Sequence, residues 1–204
     1  MNLLSALRET RPLPPGQTIG IAGGSLEGTA DWASSPTAAA AGRRGERATA
    51  QVLDALAARP GGPTVLHDAT IPIAGIDANI DHIVVAGVRV WIVDSKLWRP
   101  GWYWTWRGTA RRGTTVVPHV ARGTAKMAYN SIVSLLADSD AEVRHPLVVV
   151  WPSNGSGRVS TRFVRTDDAT IMPGSAFARA ARLAWRNNPP ASPGVAGRLA
   201  ALVR

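Results

Sequence analysis

The spacing of apolar and polar positions changes several times along the 204 residues. Residues 1–34 hold no sustained period and are rich in Gly, Pro, Ser and Thr. Pro12, Pro14, Pro15, Gly20, Gly23 and Gly24 interrupt any regular element there. The stretch reads as a leader, flexible or draped over a domain spanning 35–204. Ser34-Ser35-Pro36 carries a helix start, a serine cap with proline at the first helical position. The helix reads to about Arg59, with Val52, Leu53 and Leu56 as its apolar stripe, and Pro60-Gly61-Gly62-Pro63 ends it. The Arg43-Arg44 pair reads as solvated.

Short β-like runs follow at 64–67, 78–85 and 88–95, with Ala86-Gly87 as a tight hairpin turn between the last two. Further strands are expected at 101–106 and 114–117, then a helix over 119–137. Pro146-Leu-Val-Val-Val-Trp151 is a continuous apolar run and reads as a buried strand. A turn at Asn154-Gly-Ser-Gly157 precedes a strand near 159–164, and helices at 175–187 and 194–203 close the chain. The order α-β-β-β-α-β-β-α predicts an α/β fold with a mixed sheet.

Composition narrows the chemistry. There is no cysteine, which excludes disulfides, thiolate zinc sites and cysteine nucleophiles. No apolar run reaches the ~18 residues that a membrane span needs, and Met1–Leu7 lacks the basic region of a signal peptide. The expected location is cytoplasmic. Lys+Arg number 23 against 14 Asp+Glu, a net charge of +9. Such a balance favours polyanionic partners, nucleic acid first. Of the 23 cations only Lys96 and Lys126 are lysine.

The hairpin holds the candidate chemistry. A two-residue loop at Ala86-Gly87 pairs Val85 with Val88 and Asp81 with Ile92. Alternation then places Asp81, Ile83, Val85, Val88, Val90, Ile92, Asp94 and Lys96 on one face. Asp81 and Asp94 become diagonal neighbours, Cα atoms roughly 7–8 Å apart, close enough to share one metal ion. Two carboxylates this close repel unless a cation lies between them. Solvated strand ends would be the plain reading of either aspartate alone. Lys96 strengthens the other reading, because a chain that otherwise writes arginine has placed a compact ammonium two residues after Asp94. His82 falls on the opposite face from Asp81 and reads as a packed histidine. His67, His119 and His145 have no zinc-ligand spacing.

Asp81, twelve intervening residues, then Asp94-Ser95-Lys96 resembles the active-site hairpin of the PD-(D/E)XK nuclease superfamily. More closely, five stretches resemble the NERD (nuclease-related) domain. They are Gly42-Arg-Arg-Gly-Glu46, His67-Asp68, Ala78-Asn-Ile-Asp-His-Ile-Val-Val85, Val90-Trp-Ile-Val-Asp-Ser-Lys96 and Trp98. The resemblance spans about 42–185, with its motif core at 42–98. It implies a restriction-endonuclease-like core, a central mixed β-sheet flanked by helices, and phosphodiester hydrolysis dependent on Mg2+ or Mn2+. Carried over residue by residue, Glu46 would be the helix-borne acid, Asp81 the central metal ligand and Asp94 the second carboxylate. Ser95 would offer its backbone carbonyl to the metal, and Lys96 would be the catalytic lysine. Without the resemblance, Glu46 reads as a first-turn helix acid. Two features depart from the pattern: the hairpin turn is shorter than the family's usual Gly-Pro-Gly-type loop, and the helix after the hairpin, which often carries a glutamine in this family, has none over residues 119–126. His119, Arg122 and Lys126 are the candidates to replace it.

Residues 98–112 interleave aromatics and cations. Trp102, Trp104 and Trp106 alternate, and Arg99, Arg107, Arg111 and Arg112 flank them. One reading is a stacking platform with phosphate clamps for single-stranded or distorted nucleic acid. A strand face covered by other parts of the chain and a homodimer interface are the others. The leading function is therefore a metal-dependent nuclease acting on DNA, RNA less so. The alternative is a non-catalytic nucleic-acid-binding or structural module of a DNA-processing or defence complex.

Overall fold

The computed structural model describes residues 16–24, 36–73, 75–76, 78–117, 124–186 and 188–203. In chain order the first elements are β1 (Thr18–Ile19), α1 (Pro36–Ala57), β2 (Thr64–Thr70), β3 (Asn79–Ala86) and β4 (Arg89–Trp98). Next come β5 (Gly101–Trp106), β6 (Thr109–Arg112), β7 (Thr115–Val116), α2 (Thr124–Leu135) and β8 (Glu142–Val143). The chain ends with β9 (Leu147–Pro152), β10 (Val159–Phe163), β11 (Thr170–Pro173), α3 (Gly174–Ala184) and α4 (Pro193–Ala200).

Two sheets result. The main one runs β1-β2-β3-β4-β9-β11, with β8 also pairing β4. β2-β3-β4 are antiparallel, whereas β9 is parallel to both β4 and β11. The expected mixed sheet flanked by helices is therefore present. The continuous apolar run of β9 is explained by its place between β4 and β11, with Val149 and Val150 buried. On one face α1 and α3 pack Leu53, Leu56, Phe177 and Ala181 against Val65, Val84, Val93 and Val149. On the other face α2 and α4 pack Ala128, Ile132, Val195 and Leu199 against Leu66, Ile83, Val85, Val90 and Ile92. Period-2 alternation along β3 and β4 sorts these side chains to the two faces.

A second, four-stranded sheet is ordered β10-β5-β6-β7. It leans on the main sheet through Trp98, Tyr103, Val117, Val150, Val159 and Val164. β5 begins three residues after β4 ends, so the small sheet is an outgrowth of the β3–β4 hairpin in sequence.

Several expectations need correction. Val85 pairs with Val90 and Ala86 with Arg89, so the hairpin loop is Gly87-Val88. Gly87 takes φ 60°, a conformation that glycine adopts without strain, and this moves the turn one residue along. Each pairing shifts by two residues, which leaves every side chain on its expected face. The register steps from Val85↔Val90 to His82↔Val93, and one more step puts Asp81 opposite Asp94 rather than diagonal to it. Glu46 is not in a first turn, since α1 begins at Pro36 and Glu46 is internal to it. The strand expected at 114–117 is a shorter one, preceded by β6. β1, β8 and β11 carry no alternation and are held as strands by the neighbours they pair with. His119 and Arg122 lie outside the described residues.

Candidate active site

α1 crosses the main sheet so that Gly45 comes against Lys96 and Leu97 of β4. That approach delivers Glu46 to the end of β3 and β4 where Asp81, Asp94 and Lys96 lie. The Lys96 Nζ sits 2.6 Å from Asp94 Oδ1. The backbone N–H of Ser95 donates to Asp81 Oδ2 at 2.6 Å. Each aspartate thus has one oxygen engaged. Asp81, Asp94 and Lys96 share one face of the hairpin, and Ser95 points the other way.

The electrostatics follow from crowding. Desolvation lifts Asp81 well above the ordinary carboxylate range; Asp94 and then Glu46 add to the rise, while Lys96 and the Ser95 N–H oppose it. Glu46 is 8% exposed. Its burial, with Asp68 next, raises it from 4.5 to about 7, against the pull of Lys96 and a hydrogen bond from the Gly23 N–H. For Lys96, partial burial pulls the ammonium down, but Asp94, Asp81 and Glu46 outweigh it and the group ends above the ordinary lysine value. Lys96 is therefore a fixed cation and cannot serve as a base at neutral pH.

One further carboxylate belongs here. Asp68 lies in β2 between the pairs His67↔His82 and Ala69↔Ile80, which places it opposite Asp81. It is buried, accepts from Asn79 Nδ2 at 2.8 Å and holds φ 57° inside a strand. A non-glycine residue in that conformation stores strain, a feature that concentrates at functional sites. His67-Asp68 was visible in sequence only as part of the family pattern.

Behind the hairpin runs a buried polar chain that the sequence reading did not anticipate. Asp54 Oδ1 meets His67 Nε2 at 2.9 Å, and His67 Nδ1 meets His82 Nδ1 at 2.8 Å. His82 Nε2 reaches Ser95 Oγ at 3.1 Å, and Ser95 Oγ reaches Thr49 Oγ1 at 2.7 Å. Trp151 Nε1 donates to Thr49 Oγ1 at 2.9 Å. Both imidazoles are fully buried, and desolvation followed by His67 lowers His82 well below an ordinary histidine. His82 is thus a neutral packing group, as its face assignment implied. The chain clamps Ser95, whose main chain separates Asp94 from Lys96.

The donor set suits a hard divalent ion. Asp81 and Asp94 face each other, Asp94 raises the affinity of Asp81 for positive charge, and the Ser95 carbonyl is adjacent. Mg2+ is commonly held by one or two carboxylates with several waters retained. Among the described residues no group of three or more His, Asp or Glu side chains is arranged to hold a metal ion by itself.

The aromatic strip forms β5 of the small sheet. Trp102 is 75% and Trp106 57% exposed. Trp104 is half-buried, donates to the Gly113 carbonyl at 3.1 Å and packs edge-on against Trp106. The strip is thus not covered by another part of the described chain. Arg107 places its guanidinium carbon 5.9 Å from the Trp106 ring centre. Arg111 bonds the Thr114 carbonyl, Arg112 pairs opposite Tyr103, and Arg99 is exposed between β4 and β5. Lys126 lies in the first turn of α2, 3.8 Å from Asp168 Oδ1. No described helix is long and apolar enough to cross a membrane.

A mixed sheet flanked by helices, with an acid-bearing helix laid over a hairpin that carries Asp81 and Asp94-Ser95-Lys96, defines the restriction-endonuclease-like class. The model of the nuclease-related domain, NERD, matches residues 41–150, just over half of the chain. The protein belongs to the NERD family, within the PD-(D/E)XK-like nuclease superfamily. Comparison with the curated proteins and with the solved structures returned no match.

Proposed function

We propose that this NERD domain is a metal-dependent nuclease that hydrolyses phosphodiester bonds in DNA. The observation that supports it most is the convergence of three strand residues on one end of the sheet. Asp81 and Asp94 face each other there, and Lys96 stands 2.6 Å from Asp94. Asp81, Asp94 and the Ser95 carbonyl would hold Mg2+ or Mn2+. When bound, such an ion activates water and neutralises charge on the phosphate.

The remaining roles fall to the chain itself. Lys96, held as an ammonium by Asp94 and Asp81, places a fixed positive charge where the phosphate gains negative charge. Glu46, titrating near neutrality, can take a proton from water or return one to the leaving oxygen. Ser95 is clamped by Thr49 and His82, which fixes the spacing between Asp94 and Lys96. The exposed indoles with their neighbouring arginines offer sequence-tolerant stacking and phosphate contacts to single-stranded or distorted DNA.

A second reading is a nucleic-acid-binding module that keeps the fold without catalysis. Residues 119–126 hold no glutamine where the family often carries one, and this favours it. Incubating plasmid and single-stranded DNA with the protein in Mg2+, Mn2+ or EDTA separates the two. Cleavage that requires the metal and disappears in Asp81→Asn and Asp94→Asn supports the nuclease. DNA binding without cleavage in either metal supports the binding module.

A further inference from the structure

A cleft of about 810 Å3 opens on the α1/α3 side of the sheet end, and Arg44, Arg158, Arg162 and Arg179 line it over a floor that includes Leu97 and Trp151. All four arginines are exposed, and among the described residues no acidic one lines the cleft. Among the described residues, none of the four is ion-paired to a carboxylate. A few surface cations elsewhere are paired, Arg89 and Arg144 with Glu142, Arg198 with Asp138 and Lys126 with Asp168; what sets the cleft apart is that four arginines converge on one concavity. Four guanidinium groups without a carboxylate partner, Arg162 lying over the Phe163 ring at 5.7 Å, repel one another around one concavity, and the cost is removed by an anion with several charges.

We infer that this cleft holds the sugar-phosphate backbone of a single nucleic-acid strand, as a second contact region outside the Asp81–Asp94–Lys96 centre. Three observations choose that occupant. Guanidinium is the cation best matched to phosphate oxygens, through planar, paired hydrogen bonds. The cleft is concave and partly apolar, with Ser175 and Ala176 at the start of α3 among its lining residues. A single backbone can enter such a groove, whereas a duplex carries its phosphates on a rigid convex surface. The cleft is also built from the elements that carry the other two nucleic-acid features. α1 supplies both Arg44 and Glu46, and β4 supplies both Leu97 and Lys96. β10, which is flanked by Arg158 and carries Arg162, pairs with the tryptophan strand β5. Alternation turns Leu97 to the opposite face of β4 from Lys96, so the cleft and the Asp81–Asp94–Lys96 centre flank the same end of the sheet from its two sides. None of these four arginines lies in the aromatic strip that the sequence singled out.

This inference rests on the reading of nucleic acid as substrate, but it is tested by binding in EDTA, where no cleavage occurs. The probe is a fluorescent oligothymidylate, titrated over a series of salt concentrations and followed by anisotropy. The protein is the full chain carrying Arg158→Ala with Arg179→Ala. A matched control carries Arg182→Ala with Arg186→Ala, which removes the same two charges from a different hollow beside Leu56 and Arg59. Each lost single-strand phosphate contact flattens the log–log salt slope by about 0.7. The cleft pair should therefore flatten it by about 1.4 and weaken binding at least tenfold, with unchanged melting temperature. The control should change affinity less than threefold. Equal weakening by both pairs would show that only net charge matters and would overturn the inference, as would an unchanged slope in the cleft pair. A loss seen with duplex but not with oligothymidylate would overturn the single-strand assignment. Wild-type protein that binds the oligonucleotide through the cleft yet never cleaves DNA in Mg2+ or Mn2+ would leave this inference standing and remove the nuclease reading instead.

Discussion

Replacing Glu46 by Gln should change the pH dependence of stability in a direction opposite to ordinary acid denaturation. In the native protein burial and the neighbouring Asp68 raise this carboxyl from 4.5 to about 7. At about 1.4 kcal/mol per pH unit, the ionised side chain is about 3 kcal/mol less favourable in the folded than in the unfolded chain. Below pH 4.5 the group is protonated in both states and contributes no slope. Between 4.5 and 7 the unfolded chain releases its proton while the native state keeps it, so stability falls as pH rises. Above 7 the loss is complete. Asp81 is raised in the same direction and adds to the slope. The amide introduced by the substitution is neutral throughout and can still accept from the Gly23 N–H. The Glu46→Gln protein should therefore match wild type near pH 4.5 and exceed it by about 3 kcal/mol at about pH 8, or about 6–12 °C in melting temperature for a chain of this size. Urea denaturation and calorimetry from about pH 4.5 to about pH 8.5 provide the assay. A difference between the two proteins that stays constant over that range would show that Glu46 is not desolvated in the acidic cluster, and its role as the proton-exchanging group would go with it.

Lys96→Arg keeps the charge but not the compact head group, and should lower single-turnover cleavage roughly 10²–10³-fold with stability changed by less than about 0.5 kcal/mol; a wild-type rate would return Lys96 to a surface charge. Trp102→Ala and Trp106→Ala should each weaken single-stranded DNA binding by about 1–3 kcal/mol and leave the melting temperature unmoved, since both indoles are largely exposed; anisotropy titration beside a thermal melt checks both halves. His82→Leu removes the link between His67 and Ser95 and should destabilise the fold by about 1–3 kcal/mol, because two buried polar groups lose their partner; a stability equal to wild type in urea would show that the buried polar chain contributes nothing net.

The hairpin shows what was legible in one dimension. Strand periodicity is local and its period is 2, so the placing of Asp81, Asp94 and Lys96 on one face follows from counting, and it survived a turn displaced by one residue because the pairing moved by an even step. Which aspartates stand opposite one another depended on the conformation of Gly87, which the residue identity permits without requiring. The helix spacing of Leu53 and Leu56 announced α1 and its buried side in the same way. Glu46 is different. Whether it is a solvated helix acid or a buried member of the site is decided by the passage of α1 over Lys96 and Leu97, some fifty residues away along the chain, and by the approach of Gly23. The left-handed backbone at Asp68 and the meeting of His67 with His82 come from the β2–β3 register, which no local pattern records. The exposure of the tryptophan strip likewise depended on β10 joining β5 across more than fifty residues to make a separate sheet, and not on the alternation of the indoles. Alternation states that a strand has two faces, and only the long-range pairing of strands and helices states what, if anything, covers each of them.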